Sequence, residues 1–504
     1  MTDEFIISAL ALREELRDDY TRRHDHIAGD RMLWRAQSFR HLAHLLPGQT
    51  ILEVGYGNGQ LTRYLMQVSR GENPITAVTF RANVQRITEL PAAVECLSAL
   101  DLPGVLAGRR FDLVVLQDML DHRTCVWLTE RVYEMLAPGG KALFYESNPW
   151  NIILQLRRLV SKVLAGKDSR LLLNRIQLYE LFSEIGFVRV FTVYEDFVYS
   201  PLSRQFTWLL RNLSILLENA PVIRTLSRSI LVYAQKPPRR SEPLRVPIPA
   251  PPHLHRAVSV IVPCHNEEMN VGPLATNLRA LFGDYIHEII FIDDNSQDGT
   301  RAAIAALADV DDRIKSVYRR PPNGVGLALG DGIRAATGQY LLLIDCDFQH
   351  LLPEVRDLFD AIGTEYEVAI GSRFSRHSVM LNYPFMKIVA NRLFHGIAQI
   401  VLLRRFRDLT NNLKLIPRMA AERLVLLESG FAANAEIGLQ LLIMGYRLKE
   451  VPISWIGRGY DMGGSSFRLL SEGGSYWRVL CRIWLRRFVG VGVYRDVPSK
   501  PRGK

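Results

Sequence analysis

Short runs of consecutive apolar positions alternate along this chain with longer stretches in which apolar and polar residues mix at helical spacing. Thr50–Val54, Ile75–Thr79, Phe111–Leu116, Lys141–Tyr145, Val188–Val193 and Ile230–Ala234 predict strands, with helical segments such as Gln60–Val68 between most of them. The alternation restarts at Val258–Val262 and continues through Glu288–Ile292, Ile314–Tyr318 and Leu341–Ile344. Repeated strand–helix units predict parallel, doubly wound sheets, so the fold class is α/β. Between the two series lies Lys236–Ala257, which holds seven of the 25 prolines and predicts a semi-rigid extended spacer. The chain of 504 residues is too long for one core. It divides into a domain at 1–236, a linker at 237–257 and a domain at 258–504.

Composition sharpens this only a little. Hydrophobic content of 48% with 23% charged residues marks a packed globular chain, and a net charge of +10 suits an anionic partner. Nucleotide diphosphates, an anionic membrane surface and nucleic acid all meet that condition, but no basic and aromatic motif supports nucleic acid. The five cysteines are scattered, without Cys-x-x-Cys, which predicts neither a disulfide framework nor a zinc site and fits a reducing, cytoplasmic setting. Charged residues interrupt Met1–Asp19, so no signal peptide is expected there. Val379–Leu403 carries Lys387, Arg392 and His395 and predicts an amphipathic or core helix. Tyr476–Lys504 alternates Trp477, Ile483, Trp484 and Phe488 with Arg478, Arg482, Arg486 and Arg487. That pattern fits a helix lying on a membrane surface, on the inner face, or one packed on the sheet with its arginines solvated.

Candidate chemistry in the first half begins at Glu53-Val54-Gly55-Tyr56-Gly57-Asn58-Gly59, where a strand runs through a glycine-rich turn into a helix whose free N–H groups suit a bound ligand. With Phe111–Val115 and Leu136-Ala137-Pro138-Gly139-Gly140, this spacing resembles class I S-adenosylmethionine-dependent methyltransferases, which have a Rossmann-like fold. The resemblance implies that Glu53, Gly55, Gly57 and Gly59 line the methionine and ribose end of S-adenosylmethionine. It places Asp101 and Leu102 at the adenine, and Gln117, Asp118, Asp121, His122, Glu146, Asn148 and Trp150 on the acceptor side. One position departs from the family. Thr79 stands at the end of the second strand, where an Asp or Glu accepts both ribose hydroxyls, and losing such a charged hydrogen bond costs about 1.5–3 kcal/mol. Two readings stay open, an active methyltransferase and a retained, catalytically silent domain.

In the second half the apolar run Leu341–Ile344 delivers Asp345-Cys346-Asp347 at a strand end. Paired carboxylates there clamp a hard cation, Mg²⁺ or Mn²⁺, whose shell a diphosphate completes; an ordinary acidic turn has the same look. Polar clusters at neighbouring strand ends, Pro263–Glu268, Asp293–Thr300 and Asn323–Gly326, favour a nucleotide site.

Pro263-x-x-Asn266-Glu267, Asp293-Asp294-x-Ser296-x-Asp298-Gly299-Thr300 and Asp345-x-Asp347 resemble family 2 glycosyltransferases with the GT-A fold. Asp345–His350 with Gly371–Phe374 is most similar to the dolichyl-phosphate mannosyltransferase and polyprenyl-phosphate glycosyltransferase branch. The resemblance implies that Pro263, His265, Glu267, Asp294, Ser296 and Asp298 bind the nucleotide part of a nucleotide-diphosphate sugar. Asp345, Asp347 and Gln349 would hold the metal, and Arg373 would neutralise a phosphate. Lys387 falls near the transferred group, Asn391 and Arg458 near donor and acceptor phosphates. Glu436 is a candidate base. Arg407–Lys414 departs from the family, with Asn411, Asn412 and Lys414 replacing small, flexible and fork-shaped residues.

A lipid phosphate is already an anionic nucleophile, whereas a hydroxyl acceptor needs a base. The expected function is therefore transfer of one sugar to a polyprenyl-phosphate-like lipid. The alternative is a hydroxyl acceptor on a surface glycan or glycolipid, with the first domain methylating that glycan or serving as a docking module.

Overall fold

The computed structural model describes residues 2–82, 94–98, 106–156, 171–199, 204–238, 246–347, 352–375, 377–381, 383–456 and 469–497. It forms two compact units, Met1–Arg245 and Val246–Lys504.

The first unit is built on seven strands: β1 (Ile51–Val54), β2 (Ile75–Thr79), β3 (Val94–Ser98), β4 (Phe111–Gln117), β5 (Leu136–Ser147), β6 (Val188–Glu195) and β7 (Ser229–Gln235). They lie in the order β3-β2-β1-β4-β5-β7-β6, and β7 runs antiparallel to both of its neighbours. β1, β2 and β4 are almost wholly buried, as helices on both faces of a parallel sheet require, which is why they read as continuous apolar runs. Strand order reverses between β1 and β4, and ligands of open α/β sheets bind outside the carboxyl ends at such a reversal. The N-terminal helix Asp3–His24 sends Ile6 and Leu10 into the core that holds Leu52, Val78, Phe80 and Met119.

The expected spacer is free over less of its length than its prolines imply. From Val246 onward it belongs to the second unit, because the apolar residues between the prolines find cover there. Ile248 and Leu254 are buried, the Ile248 N–H donates to the Leu281 carbonyl at 2.8 Å, and the Tyr285 hydroxyl donates to the Pro249 carbonyl at 3.1 Å.

The second unit holds β8 (Val258–Cys264), β9 (Ile286–Asp293), β10 (Ile314–Tyr318), β11 (Tyr340–Leu343), β12 (Glu367–Ser372), β13 (Met380–Leu381), β14 (Lys414–Pro417), β15 (Arg447–Pro452) and β16 (Trp455–Ile456). Seven make a sheet in the order β10-β9-β8-β11-β14-β12-β15, with β14 antiparallel to β11 and β12. β13 and β16 pair separately. Here the reversal falls between β8 and β11. Because β14 runs the other way, its beginning meets the carboxyl ends of its neighbours, so residues 411–414 join the site edge.

The helix expected from Val379 is shorter: Met380–Leu381 is strand, and Pro384 precedes a helix at Phe385–Leu402. Among the described residues this is the one helix long and apolar enough to cross a membrane. Ile388, Phe394, His395, Ala398 and Leu402 are nevertheless buried in the unit, while Met386, Leu393 and Ile400 are exposed. The C-terminal helix Leu469–Trp484 widens into a π-helical turn, Leu485–Val489, that ends at Gly490 with φ 76°.

Candidate functional site

The carboxyl ends of β8, β9 and β11 bring the second unit's polar clusters together. Pro263 and Cys264 close β8, and the next residue, His265, shares a 2.9 Å hydrogen bond between its Nδ1 and the Asp294 carbonyl. The Ser296 hydroxyl accepts the Asn266 N–H at 3.0 Å, and the Thr300 hydroxyl accepts the Glu267 N–H at 2.8 Å. Asp298 accepts the Thr300 N–H at 3.0 Å and fixes the start of helix Thr300–Val310. Pro263, His265, Glu267, Ser296 and Asp298 thus gather at one edge. Asp294 is different. It is buried, paired with Arg319, and accepts the Gly324 N–H at 2.6 Å, so it holds the Asn323–Gly326 turn in place. Arg319 carries no motif signal in the sequence.

Across the reversal, Asp345 and Asp347 follow β11, and both are half-buried. Asn412 Nδ2 donates to Asp345 Oδ1 at 2.8 Å, which orients that carboxylate. Lys414 lies fully buried beneath it. Burial brings its ammonium down to about 7 against the pull of Asp408 and Asp345, while Arg373 pushes the same way as burial. Of the departures at 411–414, Asn412 therefore acts directly on Asp345. Two carboxylates with hard oxygen donors fit Mg²⁺ or Mn²⁺, which keeps water and phosphate ligands of its own. Among the described residues no group of three His, Cys, Asp or Glu side chains converges on a metal position. Gln349 and Arg458 lie outside the described residues, as do Asp101 and Leu102.

Arg373 corrects an expectation. Rather than facing a phosphate freely, its guanidinium is buried and forks onto Asp408, with Nε donating to Oδ2 at 2.8 Å and Nη2 to Oδ1 at 3.0 Å. Nη2 also donates to the Thr410 hydroxyl at 2.8 Å, and Asn391 Nδ2 donates to the same oxygen at 2.9 Å. Burial opposes the charge on Arg373, but Asp408 more than compensates and holds it protonated. The pair serves as a rigid floor from which Tyr383 and Trp455, stacked edge to face at 5.4 Å, rise. His395 beneath it is held down to about 4 by burial, accepting the Leu409 N–H at 3.0 Å. Lys387, on the first turn of helix Phe385–Leu402, is also lowered by burial.

Glu436 is the second correction. The residue sits on the buried helix Ala432–Ile443 and has no exposure. Its carboxylate accepts the N–H groups of Leu427 and Glu428 at 3.0 and 3.1 Å and the hydroxyl of buried Tyr494. Burial pushes its carboxyl above the usual range. This side chain ties a loop to the C-terminal segment and does not present a base to an acceptor.

In the first unit, Gly55, Gly57 and Gly59 all take positive φ, from 60° to 73°, and lead into helix Gln60–Val68. Glu53 is buried, accepts the Thr62 hydroxyl at 2.6 Å, and is pushed up to about 8 by burial. The crevice between the ends of β1, β2 and β4 is not open. Glu14, from the N-terminal helix, accepts the Gly57 N–H at 2.8 Å, the Thr79 hydroxyl at 2.7 Å and the Phe80 N–H at 3.0 Å. Arg17 donates to the carbonyls of Gly55 at 2.7 Å and Gln117 at 3.0 Å. A Cβ at Gly57 would collide with Asp18 and Arg17.

The acceptor-side residues are committed too. Asp121 pairs with Arg13, the Gln117 side chain accepts from Arg35 at 2.6 Å, and Glu146 accepts the Met119 and Leu120 N–H groups. Glu14, Arg17 and Asp18 are residues that motif reasoning misses. Their signal is the spacing 10, 14, 17, 18, one helical face on which charges continue an apolar stripe.

Residues 259–425, within the second unit, match the family described as Glycosyl transferase family 2. The dolichol-phosphate mannosyltransferase of Saccharomyces cerevisiae is 36% identical over 120 residues, 23% of this chain and 45% of that protein. The dolichol-phosphate mannosyltransferase of Pyrococcus furiosus is 27% identical over 202 residues, 39% of this chain and 56% of that protein. The chain thus spans about half the length of the curated relatives it matches. Among solved structures, glucosyl-3-phosphoglycerate synthase from Mycobacterium tuberculosis in complex with UDP is similar at 20% identity and a TM-score of 0.34. That match covers 46% of this chain and 80% of the synthase.

Proposed function

We propose that residues 258–504, within the second unit, form a GT-A glycosyltransferase that moves one sugar from a nucleotide-diphosphate donor to a polyprenyl-phosphate-like lipid. The observation that carries this reading is the placement, on the two sides of the reversal between β8 and β11, of Pro263–Glu267 and of Asp345-x-Asp347, whose first carboxylate Asn412 orients. Asp345 and Asp347, with Gln349, would hold a divalent cation, which when bound offsets the charge of the leaving diphosphate. Pro263, His265 and Glu267 then position the nucleoside, and the Arg373–Asp408 pair fixes the wall of the sugar site. Glu436 favours a phosphate acceptor over a hydroxyl, because the carboxylate available as a base is turned inward, and a phosphate needs none.

An apolar tract suits a lipid acceptor. Met386, Leu393 and Ile400 on one helix are exposed, as are Trp484, Phe488, Val491 and Val493 at the C-terminal end, and Phe394 packs on Trp477 between the two helices. In this reading they meet the inner face of the membrane. The first unit, with its reversal-point crevice and glycine turn, is a methyltransferase-like module.

The test is a transfer assay with nucleotide sugars, Mn²⁺ and a short polyprenyl phosphate. Wild type transfers and Asp347→Ala does not; full activity in that variant sinks the assignment.

A further inference from the structure

The N-terminal helix treats the first unit's crevice as a ligand would. Where β1, β2 and β4 end, the sheet leaves backbone groups of both kinds: N–H donors at Gly57 and Phe80, and carbonyl acceptors at Gly55 and Gln117. These are the groups by which a reversal-point crevice holds a small polar molecule. All four are taken by two side chains one helical turn apart, Glu14 serving the donors and Arg17 the acceptors. Around them, Asp18 accepts from Arg81 at 2.7 Å, and Arg13 reaches Asp121 and the Met119 carbonyl. The anchoring is apolar and lies elsewhere on the helix, at Ile6 and Leu10.

We propose that Glu14 and Arg17 are an internal ligand of this crevice, in competition with an external one of matching chemistry: a nucleoside that offers hydroxyl or carboxylate acceptors and an ammonium donor. S-adenosylmethionine and S-adenosylhomocysteine have that make-up, and the competitive half of the proposal rests on the methyltransferase-like reading of the first unit. Thr79 then has an explanation inside this chain. Where a carboxylate on β2 would repel Glu14, a hydroxyl donates to it. The helix closes the crevice, and apparent affinity for the external ligand is lowered by the fraction of molecules in the closed state.

The experiment uses the full chain, S-adenosylhomocysteine as the probe, and two variants that loosen the helix by different means. Glu14→Gln weakens the crevice bonds; Leu10→Ala weakens the anchor and leaves every crevice group intact. Titration calorimetry is expected to show both variants binding the probe about tenfold or more tightly than wild type. Amide hydrogen exchange is expected to quicken at Gly57 and Phe80 in both. Equal affinity in all three proteins, or weaker binding by Glu14→Gln alone, overturns the competition, the latter making Glu14 a part of the external site. Exchange at Gly57 and Phe80 that stays as slow as in wild type overturns the internal ligand itself. Faster exchange without probe binding upholds the internal ligand and refutes the cofactor reading of the unit instead.

Discussion

Glu436 decides between two chemistries, and a pair of substitutions separates them. As a general base it would contribute about 10²–10⁴-fold to turnover, and glutamine would remove all of that. The structure gives it three donors, the N–H groups of Leu427 and Glu428 and the Tyr494 hydroxyl, in a pocket without solvent exposure. Burial raises its carboxyl, and one of its oxygens faces the two amides while the other takes the Tyr494 hydroxyl. Glutamine reproduces that pattern, since a phenolic oxygen accepts as readily as it donates. Glu436→Gln is therefore expected to cost no more than about 1 kcal/mol and to leave turnover within a few-fold. Leucine fills similar space and satisfies nothing. It strands the Glu428 N–H and Tyr494 hydroxyl, both buried, at about 1–3 kcal/mol each. For a unit of this size, a loss of about 2–6 kcal/mol lowers the melting temperature by about 4–24 °C. Thermal unfolding and sugar-transfer rates on the two variants are the assay. A hundredfold loss of turnover in Glu436→Gln with an unchanged melting temperature would refute the structural role and restore the hydroxyl acceptor.

Three further outcomes follow from the same geometry. Asp408→Asn leaves the buried Arg373 guanidinium without its counter-charge and is expected to cost about 3–5 kcal/mol, read as a lower denaturant midpoint; a loss under about 1 kcal/mol would mean the pair is not a floor. Asn412→Ala frees Asp345 without touching its charge, so turnover should fall about 10–100-fold with little change in stability. Glu288 bridges β9 to Ser259, Thr337 and Lys315; burial alone would raise its carboxyl, but those partners bring it down to about 2. A depressed carboxyl adds stability above its unfolded value, so that contribution is present above about pH 4.5 and is lost as pH falls towards 2. Glu288→Gln should flatten the acid limb of the stability profile over that window, and an unchanged limb would count against it.

The strands were legible because a strand buried on both faces needs only a local run of apolar residues, and Ile75–Thr79 has the same limits by pattern and by structure. The site edge of the second unit was legible for a related reason. Pro263–Glu267, Asp293–Thr300 and Asp345–Asp347 each follow directly from a strand end, and parallel strands deliver their ends to one side. What stayed hidden depends on partners distant in sequence. Whether Arg373 meets a phosphate or Asp408, whether Glu436 faces an acceptor or Tyr494, and whether the glycine turn faces solvent or Glu14 are settled by residues 35, 58 and 43 positions away. A charged side chain looks the same in the sequence whether it awaits a substrate or already has a buried partner. Chain order alone determined the two α/β series, the proline-rich join and the paired carboxylates at a strand end; tertiary packing decided which charges are spent on holding the fold, because desolvation forces each buried charge to find its partner wherever the fold brings one within reach.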